Sequence, residues 1–265
     1  MGDLKRVAKT FRFINIDADP DTGNFSPAQI QQLKSGGQNR VISYFNIGSC
    51  ESFRSYWSKV PTPFVSAGRN SAAKLGPYDG YPDETWMNLG NADYQNLLVN
   101  YVAPRLVAQG VDGFFLDNME LVEHGARDKN GPCSAACRQG GLDLIAKLRR
   151  KYPNLLIIMQ NATSDVTRLG KTGGVAFPTL LDGISHEEVF APQADAGAQS
   201  ELKAWKGMKL LPGGRAFWIG TEDYVGSGSN TALQKKVYAQ SRAAGFSPYC
   251  ADESGKQQTV FYWPN

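Results

Sequence analysis

The sequence predicts a single-domain (β/α)8 barrel spanning residues 1–265, and three observations point there. Short apolar runs rich in Val, Ile and Phe alternate with helix-like stretches along all 265 residues. About eight such runs in that length is the arithmetic of eight strands, each followed by a helix or helix-like link. The competing architecture, an open doubly wound sheet, starts with a glycine-rich phosphate loop after its first strand. Ile16-Asp17-Ala18-Asp19-Pro20 is nothing of the kind.

Taken in order, the first strand is Phe13–Asp17. Ser26 then caps a helix with Pro27 at its first position, running AQIQQLK. The second strand is Val41–Ile47 and the third Trp86–Leu89. A helix opens at Asp93 and ends at Gly110, with Pro104 expected to kink it. The fourth strand, Gly113–Asp117, leads into a long loop insert near 124–140. The helix GLDLIAKLRRKY stops before Pro153, and the fifth strand, Leu155–Gln160, follows. The sixth, seventh and eighth strands are Gly183–Glu187, Ala216–Gly220 and Phe246–Tyr249, with a helix from Asn230 to Gly245 before the last.

Composition narrows the function classes. Hydrophobic residues at 42% and charged residues at 20% exclude a disordered chain, a collagen-like fibre and a disulfide-packed mini-protein. A net charge of +3, evenly scattered, argues against nucleic acid or an anionic membrane as partner. No apolar run approaches the ~20 residues of a membrane span. The opening MGDLKRVAKTFRF lacks the apolar stretch and cleavage site of a secretory leader. Cys133 and Cys137 suit a local disulfide better than half of a metal site, for which His124 is the only histidine in reach. A disulfide points to an oxidising compartment, so an extracellular location is expected. Cys50 and Cys250 read either as buried thiols or as a second pair.

Barrel chemistry sits at the C-terminal ends of the strands. Those ends carry Asp17 and Asp19; Tyr44 and Asn46; Trp86 and Asn88; Asp117, Asn118 and Glu120; Asn161; His186, Glu187 and Glu188; Glu222, Asp223 and Tyr224; and Asp252 with Glu253. No strand ends in lysine, no GxSxG elbow occurs, and no Cys–His pair has a suitable context, which disfavours Schiff-base and acyl-transfer chemistry. Carboxylates among aromatic rings and amides are what sugar hydrolysis needs, with one acid protonating the leaving oxygen and a carboxylate attacking or activating water. On position alone Asp117 serves equally as a catalyst or as a helix cap. Glu187 and Glu188 point to opposite faces, and alternation by itself does not say which faces inward.

Several segments resemble glycoside hydrolase family 114, the endo-α-1,4-polygalactosaminidases. VISYFNIGSCESFRSYW is similar to that family's second strand and turn at Tyr44, Gly48, Glu51 and Arg54. DETWMNL retains Glu84 and Trp86 but has Asn88 for an aspartate. GVDGFFLDNMEL matches at Asp112, Gly113, Asp117 and Asn118, with Glu120 where aspartate is usual, and LLDGISHEEVF matches at Asp182, Glu187 and Phe190. His186 stands where the family has asparagine, and TEDY replaces its seventh-strand VEY pattern. The similarity runs from about Asp17 to Tyr224.

The resemblance implies a barrel with Asp117 as nucleophile and Glu187 as general acid/base of a retaining, endo-acting hydrolase, and it selects Glu187 over Glu188. Asp17, Tyr44, Trp86, Asn118, Asn161, Glu222 and Tyr224 are the expected substrate contacts. Glu187 is expected to hold a proton near neutrality and Asp117 to stay ionised, aided by Asn118 or Tyr44. An acidic cleft lined by Asp17, Asp117, Glu120 and Glu187 would attract a cationic amino sugar. The expected partner is a polysaccharide, with no cofactor, and the expected state a monomer. Two rival readings stand beside it: a barrel holding Mg²⁺ on Asp117, Glu187 and Glu222, and an inactive carbohydrate-binding barrel.

Overall fold

The structure, a computed structural model, describes residues 2–208, 217–226 and 231–262. Its strands, in chain order, are β1 (Phe13–Ile16), β2 (Arg40–Asn46), β3 (Ser49–Glu51), β4 (Lys74–Tyr78), β5 (Tyr81–Met87), β6 (Gly113–Asp117), β7 (Leu156–Gln160), β8 (Lys171–Thr172), β9 (Val175–Ala176), β10 (Gly183–Glu187), β11 (Trp218–Tyr224) and β12 (Ser247–Ala251). Seven of them form one parallel sheet in the order β1-β2-β6-β7-β10-β11-β12. The barrel fold expected from the strand–helix alternation is the one observed, with its first, second and fourth to eighth strands in sequence. Ala216, the expected start of the seventh, lies outside the described residues.

The expected third strand departs from this plan. Trp86–Leu89 does not enter the parallel sheet; β2 pairs directly with β6, from Ile42↔Gly113 to Asn46↔Asp117. Trp86 and Met87 instead end β5, which pairs antiparallel with both β3 and β4. The apolar pattern misleads because Trp86, Met87 and Leu89 are as buried as any barrel strand. The discriminating signal is Asp79-Gly80 between Tyr78 and Tyr81, a two-residue hairpin turn with Gly80 at φ 87°.

Alternation along the parallel strands separates two cores. Ile42, Phe115 and Ile158 meet inside the barrel, with Phe13, Leu156 and Trp218 packed on them. The intervening residues Phe114, Leu116, Ile157, Met159, Ile184 and Ile219 face outward into the larger cluster under the helices. Strands buried on both faces read as continuous apolar runs, which is why they were legible. Two residues above the Phe115 layer, Asp117 faces inward, level with Gln160 and Ser185. Glu187 follows Ser185 on the same face and pairs with Glu222.

The helices are α1 (Leu4–Thr10), α2 (Pro27–Leu33), α3 (Ser55–Ser58), α4 (Ala92–Leu97), α5 (Ala103–Ala108), α6 (Ala135–Lys151), α7 (Asp165–Arg168), α8 (Ala196–Lys206) and α9 (Thr231–Ala244). Ser26 and Gln29 form a reciprocal capping box at α2, as its Ser-Pro start predicts. The helix expected to begin at Asp93 is capped instead by Asn91, whose side chain accepts from Tyr94 N. Before Pro104 the chain widens into a π-helical stretch, Leu98–Val102, because proline has no N–H to donate and its ring crowds the preceding turn. Helix α6 starts earlier than expected. Ser134 caps it and the Cys133–Cys137 disulfide, with Cα atoms 5.3 Å apart, bridges its first turn. Cys50 and Cys250 are both buried and are not joined to each other. No helix among the described residues is long and apolar enough to cross a membrane.

One close approach ties β2 to β6 at the top of the barrel. Ile47 N and Gly48 N both donate to the Asp117 carbonyl, at 3.2 and 3.4 Å. A Cβ on Gly48 would sit 1.7 Å from the Asn118 carbonyl oxygen, which is backbone and cannot give way. Gly48→Ala is therefore expected to destabilise by on the order of 3 kcal/mol, lowering Tm by about 5–10 °C in a thermal melt. An unchanged Tm would contradict this account of the turn.

Candidate active site

Asp117 ends a strand of sequence GFFLD whose apolar residues anchor it on both faces. The chain then turns at once, because Asn118 adopts a left-handed φ of 57°. Its side-chain nitrogen is tied down: Nδ2 lies 3.0 Å from Asn46 Oδ1, 2.9 Å from Ser49 Oγ and 3.3 Å from Glu84 Oε2. Asn46 Nδ2 donates to Ser49 Oγ at 2.8 Å and to Glu84 Oε2 at 3.1 Å, and the Ser49 hydroxyl also donates to Glu84. This lattice stitches together the ends of β2, β3 and β6 and the middle of β5. It holds the wall on which Asp117 stands.

Glu187 is clamped from two neighbouring strands. Asn161, just past β7, donates from Nδ2 to Glu187 Oε2 at 2.8 Å and accepts from Glu187 N on Oδ1 at 3.0 Å. The Tyr224 hydroxyl, at the end of β11, donates to Oε1. Asn161 and Glu188 are left-handed, at φ 61° and 53°. Together with Asn118, three non-glycine residues therefore sit in a sparsely populated conformation at the tops of β6, β7 and β10, a pattern associated with functional sites. The parity question is answered here, with Glu187 on the inward face and Glu188 at the turn, its N donating to the Glu222 carbonyl at 2.8 Å. His186 Nδ1 bonds the Glu187 carbonyl at 2.7 Å, a packing role. Asp223, fully buried on the other face, accepts from Phe190 N and Ala191 N and so secures the loop after β10.

Asp117, Asn118, Asn161, Glu187 and Tyr224 line one cleft of about 580 Å³. Among the described residues, seven carboxyl groups face it (Glu84, Asp117, Glu120, Glu187, Glu188, Glu222 and Glu253) against one cation, Lys256. Tyr44, Tyr78, Tyr81 and Tyr224 supply aromatic walls.

Such crowding raises proton affinities. Burial, then the Glu187 charge, pushes the Asp117 carboxyl up to about 7, despite stabilising hydrogen bonds from Asn118 N and the Tyr44 hydroxyl. Burial and the charges of Glu187 and Asp117 push Glu222 up to about 8. Glu120 rises well above the carboxylate range through burial and the Asp117 charge, and its Oε2 is buried without a hydrogen-bond partner. The expectation that Asp117 stays readily ionised is corrected: its expected partners are present, but desolvation outweighs them.

Of the expected contacts, Tyr44, Asn118, Asn161, Glu222 and Tyr224 line the cleft. Asp17 and Trp86 do not. Asp17 pairs with Arg54 at 3.1 Å; that guanidinium is only 4% exposed, so it draws Asp17, Glu51 and Asp19 around itself. Trp86 is buried under the Tyr78 ring, 4.0 Å between centroids, and its Nε1 donates to Asn130 Oδ1 at 2.6 Å. Residues not anticipated are Tyr78, Tyr81, Gln160 and the segment Ser254–Gln257. The Asp-Gly turn flags the two tyrosines, and strand alternation below Asn161 flags Gln160. No sequence signal marks the last segment.

Comparison with known proteins agrees with this fold. The sequence model of the glycoside-hydrolase family GH114 matches residues 3–264. An uncharacterized protein of Deinococcus radiodurans is 28% identical over 254 residues, covering 92% of this chain and 74% of that protein. The glycoside hydrolase domain of PelA from Pseudomonas aeruginosa superposes with a TM-score of 0.72 at 16% identity, over 100% of this chain and 96% of that one. Ega3 of Aspergillus fumigatus, in a complex with galactosamine, gives 0.65 at 16% identity, over 95% and 86%.

The raised carboxyls carry a stability signature. Folded Asp117, Glu120 and Glu222 keep protons that the unfolded chain releases near pH 4, so the folded state binds more protons and loses stability as pH climbs from about 4 to about 8. Tm is expected to be several degrees higher at pH 5 than at pH 8, and Glu222→Gln should flatten that slope. A Tm rising over the interval, or a slope unchanged by Glu222→Gln, would count against the buried-carboxyl reading.

Proposed function

The chain belongs to glycoside hydrolase family GH114, and from that premise we propose that it cleaves α-1,4-linked galactosamine polymers internally, with retention, using Asp117 and Glu187. The observation that carries the reading is the pair of inward carboxyls at the tops of β6 and β10, sharing one acidic, tyrosine-walled cleft. The complex of Ega3 with galactosamine supports the choice of sugar. A polymer bearing protonated amines complements this acidic cleft.

In the first step the proton that Asp117 holds in the resting pair passes to Glu187 and on to the glycosidic oxygen as the C–O bond breaks, and the freed Asp117 oxygen bonds to the anomeric carbon. In the second, Glu187 takes a proton from water, whose oxygen attacks that carbon and frees Asp117. Retention of this kind needs the two carboxyl groups ~5–5.5 Å apart. Asn161 and Tyr224 orient Glu187, while Tyr44 and the Asn118 amide support the attacking form of Asp117. Substrate ammonium groups entering the cleft lower the proton affinity of Asp117 and so prepare the nucleophile. The disulfide of the 124–140 loop and a polymeric substrate favour action outside the cell.

Asp117→Asn and Glu187→Gln should each lower kcat/KM on α-1,4-polygalactosamine by about 10³-fold or more while leaving the protein folded. Near-normal reducing-end release by either variant would refute the assignment. Proton NMR of the first product should show the α-anomer before mutarotation; the β-anomer would make the enzyme inverting. Raising salt from 50 to 500 mM should raise KM for the cationic polymer several-fold, and an indifferent KM would argue for neutral, acetylated units.

A further inference from the structure

Among the described residues four large hydrophobic side chains are strongly exposed: Phe53, Tyr81, Leu169 and Val175. Of these only Tyr81, 55% exposed, lines the cleft that holds Asp117 and Glu187. Its place is not an accident of a loose hairpin tip. The Tyr81 ring leans on Tyr78, with centroids 4.7 Å apart and planes at 53°. Tyr78 in turn stacks on the buried Trp86, at 4.0 Å and 26°. Asn130 Oδ1 fixes the base of this column, accepting from Trp86 Nε1 at 2.6 Å and from Asp79 N, in the hairpin turn, at 3.1 Å. Gly131, at φ 76°, lets the loop close over the indole, since a Cβ there would come within 3.0 Å of the ring.

We infer that Tyr81 is the stacking face of a sugar subsite beside Asp117 and Glu187, carried into position by the ring column Tyr81–Tyr78–Trp86. This rests on the hydrolase reading above and adds the residue that would position the substrate. The C–H face of a pyranose binds best on an aromatic ring that is already ordered, because little side-chain freedom is then lost. A ring supported from below by two others, yet open on its outer face, meets that requirement. The ring also stands within the field of Glu187, Glu84, Asp117 and Glu120, so a sugar lying on it presents its amine to carboxylates and its bond to the reacting pair. Trp86, expected to touch sugar itself, serves as the foundation.

The test is calorimetric binding of an α-1,4-linked galactosamine oligomer to the Asp117→Asn protein, which removes turnover, with and without a change at Tyr81. Tyr81→Ala should weaken binding about tenfold and Tyr81→Phe less than twofold, with Tm shifted by no more than about 2 °C because the side chain is exposed. In the active enzyme the same Tyr81→Ala should raise KM and leave kcat within about threefold. Binding within twofold of the parent for Tyr81→Ala overturns the inference, as does a loss equal for Ala and Phe, which would assign the effect to the hydroxyl. A wild type that binds through Tyr81 but never cleaves the polymer overturns the proposed reaction alone. Failure of Asp117→Asn to bind the oligomer overturns both.

Discussion

Like charge confined in a buried space is the constraint from which the top of this barrel is built. The period-two alternation of parallel strands that fills the interior with Phe115, Ile42 and Ile158 also brings Asp117 and Glu187 inward two and four residues above that layer. Carboxyls so placed cannot all ionise without strong mutual repulsion and loss of solvation, and the proton affinities of Asp117, Glu120 and Glu222 rise accordingly. Such raised proton affinities cluster at functional sites.

The surroundings show how that strain is contained. On one side, Asn118 spends both its left-handed backbone and its side-chain amide on joining four strands through Asn46, Ser49 and Glu84. On the other, Asn161 grips Glu187 by side chain and backbone together, so the carboxylate cannot swing away from its neighbour's field. Farther out, a second charge cluster is segregated entirely: Arg54 gathers Asp17, Asp19 and Glu51 behind the cleft wall. The barrel thus sorts its acids into those neutralised by arginine and those left facing the substrate. The segregation also explains why Asp17, though at a strand end, has no part in the cleft.

How much of this was readable depended on whether a residue's environment is local. The parallel strands were legible because burial on both faces leaves unbroken apolar runs, and Asp117 and Glu187 follow from asking what terminates those runs. The Ser26 cap and the Cys133–Cys137 bridge are likewise decided within a few residues. Trp86 was misplaced because burial looks alike in a barrel strand and in a ribbon packed on the barrel; only the Asp-Gly turn between Tyr78 and Tyr81 tells them apart. Asp17 was misplaced because its partner, Arg54, is 37 residues away. The proton affinity of Asp117 was misjudged for the same kind of reason. Its hydrogen-bond partners are sequence neighbours or family matches, whereas its desolvation is the sum of everything packed around it.

The measurement that bears most directly on the account is a crystal structure of Asp117→Asn with an α-1,4-linked galactosamine oligomer bound. The account requires the chain to cross between β6 and β10, with a glycosidic oxygen within hydrogen-bond reach of Glu187 and the residue-117 side chain about 3–3.5 Å from the adjoining anomeric carbon. An oligomer seated away from this pair, or carboxyl groups too far apart to flank a single glycosidic bond, would contradict it.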